Sequence, residues 1–409
     1  MTCASRGKPK RGADMIDVGI ISKGAVAVVD GKFAAVGKAD KIEKKFQPER
    51  VIDAGSRVVC PAFVDPHTHI VFAGNRLDEF ELKIKGADYL DILANGGGII
   101  STVNQTRDAC MNDLVEQSRV RLDKMLKNGT CTAEVKTGYG LNTDTELKML
   151  KAIEGLDHSH PIDLIPTFLG AHAIPPEFKK NTDEYVDLLC GEMLPSAWEW
   201  YVMTHFFGNK IPFFADVFCE KDAFNLEQSI RILETARGLS FGLKAHVDEF
   251  SNLGGSRLAI ELGAVSIDHL DTISDEEILL LSKSETIAVI TPTVNFNFGS
   301  GEFADARKLI DNGCAVALST DYNPGSAPCP SQAMTMAIAC RYQKLLPSEA
   351  LNAATINGSF AVGMGERVGS IEAGKQADIL ILDADDYRQP AYEFGGNLVN
   401  TVIKKGELA

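Results

Sequence analysis

The stretch VDPHTHI, residues 64–70, carries two histidines two positions apart, His67 and His69. They follow the apolar run VVCPAFV, which has the composition of a buried β-strand. Residues two apart on a strand point to the same side, so this pair can bind one metal ion together. An isolated pair of this kind is more often structural, so the chemistry depends on what the rest of the chain places beside it.

Further polar residues end other apolar runs of the chain. His246 lies in FGLKAHVD, His269 follows AVSID, and Asp321 ends CAVALSTD. Imidazole nitrogens with one carboxylate suit zinc or ferrous iron and leave room for a water molecule. Four of the eight histidines fall at such run ends. We therefore expect His246 and Asp321 to complete one divalent metal site with the first histidine pair.

Eight strand-like runs between residues 58 and 321 would position these side chains. They are VVCPAFVD, TCTAEVKT, DLIPTFLG, FFADVFCE, FGLKAHVD, AVSIDHL, TIAVITPT and CAVALSTD. Helical patterns that end at glycine, such as LVEQSRVRLDKMLKNG, separate most of them. Continuous apolar strands alternating with helices indicate a parallel sheet covered on both faces, and eight strands indicate an α/β TIM barrel. Its functional residues should cluster at the C-terminal ends of the strands.

Both ends of the chain have short strand patterns and no helical periodicity. GAVAVVDGKFAAVG joins two apolar runs at Asp30-Gly31, a strong hairpin signal, and the last forty-five residues read in the same way. We therefore expect a composite β-domain of residues 1–60 together with 365–409. It would lie beside a barrel of residues 61–364.

Composition and charge narrow the class of protein. The 409 residues are 45% hydrophobic and 24% charged, as in soluble globular proteins. A net charge of −15 argues against nucleic-acid binding, and no stretch approaches a membrane-spanning length. Nine cysteines without CxxC pairs favour reduced thiols. We expect a cytoplasmic protein that binds a small molecule and neither nucleic acid nor membrane.

Seven longer motifs follow one another along the chain. They are GGGIISTVNQTR (96–107), EVKTGYGL (134–141), FLGAHAIPPEF (168–178), DVFCE (216–220), HVDEF (246–250), DHLD (268–271) and TDYNPGS (320–326). Together they resemble the imidazolonepropionases of histidine degradation, in the amidohydrolase superfamily. The resemblance covers the whole chain. It implies a distorted (β/α)8 TIM barrel with a small β-sandwich built from both termini, and hydrolysis of 4-imidazolone-5-propanoate to N-formimidoyl-L-glutamate.

The resemblance also implies roles for residues at the matching positions. One zinc or iron ion per subunit would be bound by His67, His69, His246 and Asp321. Glu249 would contact the substrate ring and move protons to the leaving nitrogen. His269 is a second candidate, as the base or the orienting group for the attacking water, and Asp321 is a third.

The substrate carries a propionate tail, which calls for a cation. Arg76, in FAGNR seven residues after His69, matches the family and offers a planar guanidinium. The other residues expected to bind substrate are Tyr139, His172, Glu249, Asn323, Gly325 and Ser326. Because the sequence N-P-G also strongly favours a turn, the last three residues can equally be explained as parts of an ordinary turn.

Two other functions remain open from the sequence. A cytosine- or guanine-type deaminase would use the same metal set, but a neutral base needs no carboxylate clamp such as Arg76. A non-catalytic relative is disfavoured because all four presumed ligands and Glu249 are present. Lys136 lies where some amidohydrolases carry a carboxylated lysine. Its EVKTGYG context resembles single-metal enzymes, so we expect an unmodified side chain.

Three further expectations concern the surroundings of the site. The glycines at 96–98 predict a mobile loop that covers it. The aromatic stretch PSAWEWYVMTHFFGNKIPFF, residues 195–214, is interpreted as packing rather than function. A homodimer is expected, since that is the commonest assembly of soluble enzymes.

Overall fold

The computed structural model describes residues 1–86 and 97–409. Its strands are β1 (Gly24–Val29), β2 (Lys32–Lys38), β3 (Val58–Pro61), β4 (Phe63–Asp65), β5 (Thr130–Lys136), β6 (Asp163–Ala171), β7 (Phe214–Cys219), β8 (Gly242–Val247), β9 (Ser266–His269), β10 (Ile287–Ile290), β11 (Val316–Leu318), β12 (Ile379–Leu382), β13 (Val399–Lys404) and β14 (Glu407–Leu408).

Helices lie between most of these strands. The α-helices are Ala39–Glu43, Leu77–Ile84, Ile99–Asp108, Met111–Lys127, Thr143–Ser159, Thr182–Leu188, Leu194–Val202, His205–Gly208, Leu226–Gly238, Gly255–Glu261, Asp275–Ser282, Pro292–Phe298, Ala306–Asp311, Gln332–Tyr342, Pro347–Asn352, Gly358–Ala361 and Gln389–Tyr392. Several begin at a side-chain cap, as at Ser274, where a capping box with Glu277 satisfies the first free N–H groups.

Strands β4 to β11 form one eight-stranded sheet in sequence order, and every neighbouring pair is parallel. The prediction of a (β/α)8 barrel is confirmed, and each of the eight apolar runs supplies a barrel strand. The first run was expected to be one strand, and that part was wrong. It divides at Ala62, whose N–H donates to Asp378 O of the terminal sheet at 3.1 Å. Its first half, β3, pairs with β12, and only β4 enters the barrel.

The barrel closes beyond the ends of its first and last strands. Thr68 and Tyr322 form an isolated parallel bridge across the seam between β4 and β11. The carboxylate of Asp65 accepts hydrogen bonds from the hydroxyls of Ser319, at 2.5 Å, and Thr320, at 2.6 Å. These contacts bring the chain that follows β4 beside the chain that follows β11, and both carry predicted metal ligands.

The terminal strands form a second layered unit, as predicted. One sheet has the order β14-β13-β12-β3, and β1 pairs with β2 in a hairpin. Asp30 and Gly31 both have positive φ, 49° and 73°, as a two-residue hairpin turn requires. The two sheets meet in their own hydrophobic cluster, whose buried members are Phe33, Ile371, Ala377, Ile379, Ile381 and Ile403.

The aromatic stretch of residues 195–214 forms a packed cluster, as interpreted from the sequence. The ring of Tyr201 stacks on that of Phe213 at 4.8 Å, and Phe213 contacts Phe241. All nine cysteines are unpaired. Within residues 1–86 and 97–409, none of the helices has the length and apolarity needed to cross a membrane.

The glycines at 96–98 were expected in a loop that covers the site, and Gly96 lies outside the described residues. Gly98 has φ 74° and donates its N–H to Glu79 at 2.8 Å.

Lys404, at the end of β13, ties the terminal sheet to the barrel. Its Nζ donates to Asp163, at 2.7 Å, to Asp378, at 2.8 Å, and to the carbonyl of Cys131, at 2.9 Å. Burial opposes the charge on this amine, but the two carboxylates outweigh burial and raise the pKa of Lys404.

Replacing Lys404 with methionine would leave two buried carboxylates without their shared cation. We expect the free energy of unfolding to fall by about 3 kcal/mol or more, measured by urea denaturation with tryptophan fluorescence. Lys405→Met is the matched control, because Lys405 also meets Asp163 but is 55% exposed. It should cost less than about 1 kcal/mol. An equal decrease in the free energy of unfolding in the two variants would show that the buried ion pairs of Lys404 add no more stability than the exposed one of Lys405.

Candidate metal centre

Four ligand atoms converge at the C-terminal mouth of the barrel. His67 Nε2 lies 3.2 Å from His69 Nε2, which lies 3.4 Å from His246 Nε2. Asp321 Oδ1 is 3.5 Å from the Nε2 atoms of both His67 and His69. A tetrahedral site with bonds of about 2.1 Å separates its ligands by about 3.4 Å, so these spacings fit one zinc- or iron-sized cation. The predicted ligand set is therefore brought together by three different strand ends.

The chemistry of this donor set also calls for a cation. Asp321 Oδ1 is buried and has no hydrogen-bond partner among residues 1–86 and 97–409. Burial raises the pKa of Asp321 to about 7, since water cannot solvate its charge. Asp321 also has a positive φ of 47°, a strained conformation for a residue with a Cβ. A cation among these atoms would pair the carboxylate and satisfy the imidazole lone pairs that face it.

Buried carboxylates orient two of the imidazoles. His67 Nδ1 is 2.6 Å from Asp268 Oδ2, and His246 Nδ1 is 3.1 Å from Asp216 Oδ1. A carboxylate only accepts, so in each ring the proton lies on Nδ1 and the Nε2 lone pair faces the cluster. Burial, together with the charge of Lys136, lowers the pKa of His67 well below its usual value. Neutral imidazole is the form that binds metals.

Two buried lysines hold the carboxylates in turn. Lys136 Nζ donates to Asp216 at 2.7 Å and to Glu134 at 2.8 Å, and lies 3.5 Å from Asp268. Lys244 Nζ donates to the other oxygen of Glu134 at 2.9 Å. Although burial alone would raise it, His246 and Lys136 hold the pKa of Asp216 well below its usual value.

The formal charges of this network favour a divalent ion. Two lysines and three carboxylates touch one another, which leaves one negative charge, and Asp321 adds a second. Buried charge is costly unless it is paired. The three carboxylates also raise the pKa of Lys136 despite its burial. Carboxylation requires a neutral amine, so these contacts favour the expected unmodified side chain.

His269 and Glu249 lie beside the ligand cluster. His269 has φ 83°, and its Nδ1 is 3.0 Å from Thr291 Oγ1 and 3.9 Å from Glu249 Oε1. Its Nε2 is buried, with no hydrogen-bond partner in the part of the chain that the structure describes. Glu220 holds the loop that carries Glu249 by accepting from the N–H groups of the next two residues, Phe250 and Ser251, each at 3.0 Å.

Burial sets the charge state of both groups. The Glu249 side chain is 11% exposed, and burial followed by the charge of Asp321 raises its pKa well above the usual value. Burial likewise lowers the pKa of His269 well below its usual value. The pair therefore favours a protonated carboxyl beside a neutral imidazole, which suits proton transfer.

The guanidinium of Arg76 already forms an ion pair with Glu79 along one edge. Its Nε and Nη2 lie 2.8 Å and 2.7 Å from Glu79 Oε2. Its Nη1 edge lies on the backbone of Gly325, where an added Cβ would be 2.1 Å from that nitrogen. Glu79 and the Gly325 backbone therefore fix the orientation of the Arg76 guanidinium.

Tyr139 and His172 form an aromatic wall beside His69. The ring of His172 stacks on that of His69 at 5.0 Å and 18°, and the ring of Tyr139 is 5.4 Å from that of His172. His172 Nδ1 donates to Gly138 O at 3.0 Å, which leaves Nε2 as an acceptor. Burial, then the charge of His246, lowers the pKa of His172 to about 3. Glu146 holds the turn around Tyr139 by accepting from the N–H groups of Gly138, Gly140 and Leu141.

The loop after Asp321 is organised by Asn323. Its Oδ1 accepts from the N–H groups of Gly325 and Ser326, each at 2.8 Å. Its Nδ2 donates to Asp321 O and to Ser326 Oγ, each at 2.7 Å. Both ends of the Asn323 amide therefore hold the backbone and the Ser326 hydroxyl of this loop in place.

Sequence reasoning missed the supporting network. The sequence motifs predict no role for Asp216, Glu134 or Lys244, and they raise Lys136 only as a possible site of carboxylation. A signal was present, since Glu134 and Lys136, like Lys244 and the ligand His246, are polar residues two apart within otherwise apolar strands. That spacing places both members of each pair on the inner side of the barrel.

The comparisons with known proteins agree with the geometry. The amidohydrolase family matches residues 239–409. A curated imidazolonepropionase from Chloroflexus aggregans is 51% identical over 408 residues, covering 100% of this chain and 96% of that relative. One from Herpetosiphon aurantiacus is 48% identical over 400 residues, covering 98% and 93%.

Solved structures share the fold at lower identity. An adenosine deaminase from Xanthomonas campestris with bound zinc has a TM-score of 0.71 and 21% identity, covering 94% of this chain and 88% of the other. Guanine deaminase from E. coli has a TM-score of 0.69 and 16% identity, covering 94% and 92%. Identities this low support the fold alone, whereas the full-length relatives at 51% and 48% show that the chain belongs to the imidazolonepropionase family.

Proposed function

We propose that this protein hydrolyses the cyclic C–N bond of 4-imidazolone-5-propanoate, giving N-formimidoyl-L-glutamate. The observation that carries the proposal is the convergence of three Nε2 atoms and Asp321 Oδ1 at 3.2 to 3.5 Å. Family membership supports this ring opening over deamination. A zinc or iron ion bound there would polarise the ring carbonyl and lower the pKa of a water molecule toward about 7.

Three groups near the ligands would handle protons. Neutral His269, with a free Nε2, is placed to orient or deprotonate the attacking water. Burial raises the pKa of Glu249, which favours the protonated carboxyl that would donate to the nitrogen leaving the ring. Asp321, as a metal ligand, would border both the metal and the attacking water, and it is a third candidate for proton transfer. These assignments give each proton a starting atom and a receiving atom within one enclosed site.

Side chains on the rim would bind the substrate. The Nη1 edge of Arg76 would meet the propionate tail, while Glu79 keeps the guanidinium oriented. Tyr139 and the Nε2 atom of His172 would contact the ring, and Ser326 with the Gly325 backbone would border the tail. Asn323 would contribute by shaping their loop.

We also propose that the reaction takes place in the barrel, residues 61–364. The composite unit of residues 1–60 and 365–409 would hold the barrel together through contacts such as those of Lys404. The protein would form a homodimer, the commonest assembly of soluble enzymes. It would act in the cytoplasm, where its nine unpaired cysteines would stay reduced.

The direct experiment follows imidazolone propionate by its ultraviolet absorbance. His246→Ala removes a metal ligand, so we expect ring opening to fall at least about 100-fold, beyond the usual effect of losing an outer partner. His158→Ala, an exposed histidine outside the site, is the control and should keep its activity. Full activity in His246→Ala would refute the mechanism. Ammonia release from a nucleobase, without turnover of imidazolone propionate, would identify a deaminase instead.

Asp216→Asn tests the orienting network. The substitution keeps the shape but removes the charge that fixes the His246 proton on Nδ1, so zinc affinity should fall about 10–100-fold. Competition with a chromophoric chelator measures this directly. Asp187→Asn, at an exposed ion pair, is the matched control and should bind zinc as the wild type does. An unchanged affinity in Asp216→Asn would mean that the network does not orient the ligand.

Arg76→Lys tests carboxylate recognition. Lysine keeps the charge but loses the planar fork, so kcat/KM should fall about 10–100-fold, mainly through KM. Steady-state kinetics with imidazolone propionate measure the change. Arg119→Lys, on the outer helix Met111–Lys127, should have no effect. A variant with unchanged KM would remove Arg76 from the substrate site.

A further inference from the structure

The aromatic stretch contains a histidine that the proposed reaction does not use. His205 begins the short helix His205–Gly208 and faces the long helix Thr143–Ser159. Glu154 and His158 lie one helical turn apart on that long helix. The three side chains each offer one ligand atom, and these atoms all lie within 4.8 Å of one another. The group lies outside the metal centre described above, with which it shares no residue.

The imidazole of His205 is oriented as metal-binding histidines are. Its Nε2 lies 2.7 Å from Asp157 Oδ2, and Asp157 Oδ1 accepts from the N–H of Leu164 at 2.8 Å. The anchored carboxylate can only accept, so the His205 proton lies on Nε2. In the neutral ring Nδ1 carries a lone pair, and this atom is buried without a hydrogen-bond partner among the described residues. A carboxylate behind one nitrogen and an empty lone pair at the other is the arrangement that supports a ligand.

The other two donors lie close to His205. Glu154 Oε2 accepts from Trp200 Nε1 at 3.2 Å, which leaves Oε1 free at 3.9 Å from His205 Nδ1. The ring of His158 lies 3.9 Å from that of His205, measured between centroids, at an angle of 41°. No described side chain donates a proton to His205 Nδ1. With a neutral His205 ring, these electron-rich atoms would be stabilised by a cation between them.

We propose that Glu154, His158 and His205 bind a second divalent transition-metal ion, with Zn²⁺ as the best match. Two imidazoles and one carboxylate form a borderline donor set that suits zinc over calcium or magnesium. Residues four apart on one helix face, like Glu154 and His158, are a common way to present two ligands. His158 is exposed, so the ion can enter from solvent and keep water in its remaining positions.

Such an ion would have a structural role. It would join the helix Thr143–Ser159, which precedes β6, to the aromatic segment that leads into β7. Trp200, which contacts Glu154, packs against Phe206 and Phe213 in that segment. Metal binding would therefore stabilise this part of the barrel wall without taking part in hydrolysis.

Equilibrium dialysis against Zn²⁺, with metal content measured by mass spectrometry, tests the proposal on the full chain. We expect two equivalents in the wild type and one in His158→Ala, which should still carry out ring opening. His246→Ala should also hold one equivalent, and its melting temperature should rise with Zn²⁺ because the ion binds only the folded chain. Adding His158→Ala to that variant should abolish both the equivalent and the rise.

Glu154→Gln provides a second variant that keeps the side-chain shape, and Glu199→Gln is its matched control. Glu199 is exposed on the neighbouring helix Leu194–Val202, so its loss should leave two equivalents, whereas Glu154→Gln should leave one. A wild type that saturates at one equivalent would overturn the proposal. A second equivalent that survives both His158→Ala and Glu154→Gln would overturn it as well, by placing that ion elsewhere.

Discussion

The structure depends on one electrostatic constraint, the burial of the Asp321 carboxylate against imidazole lone pairs. Oδ1 of Asp321 is buried, and within residues 1–86 and 97–409 it meets no hydrogen-bond donor. Left without a cation, the group would be neutralised by protonation, as its raised pKa of about 7 indicates. A divalent ion removes that conflict and at the same time creates a Lewis acid at the mouth of the barrel. The strained backbone at Asp321 and His269 is held in place around the same point.

The charged interior of the barrel follows from this constraint. Asp216 and Asp268 must be acceptors to keep the His246 and His67 protons on Nδ1, and buried acceptors need cations of their own. Lys136 supplies that cation to both, and Glu134 connects it to Lys244. Charges placed inside an apolar barrel therefore serve to fix the direction of neutral ligands. Outside the network, Glu220 and Glu146 fix the backbone that carries Glu249 and Tyr139.

Much of this architecture could be predicted from the sequence, because it depends on local patterns. The eight apolar runs are barrel strands, and the histidines and Asp321 at their ends share one site, since parallel strands bring their C-terminal ends together. Local patterns do not predict which distant segments of the chain come into contact. The division of VVCPAFVD at Ala62 depends on the pairing of β3 with β12, a strand that comes much later in the sequence, as in the pair Pro61 and Ile379. Likewise, residue spacing does not predict that Arg76 forms an ion pair with Glu79. Nor does it predict that Asn323 forms hydrogen bonds within its own loop.

Anomalous diffraction at the metal absorption edge, from crystals of the metal-loaded protein, tests the central claim most directly. The account predicts a strong peak within about 2.0–2.2 Å of the Nε2 atoms of His67, His69 and His246 and of Asp321 Oδ1. It also predicts an unmodified Lys136 that contacts Asp216. A peak bridged by a carboxylated Lys136, or none among the four ligands, would contradict it.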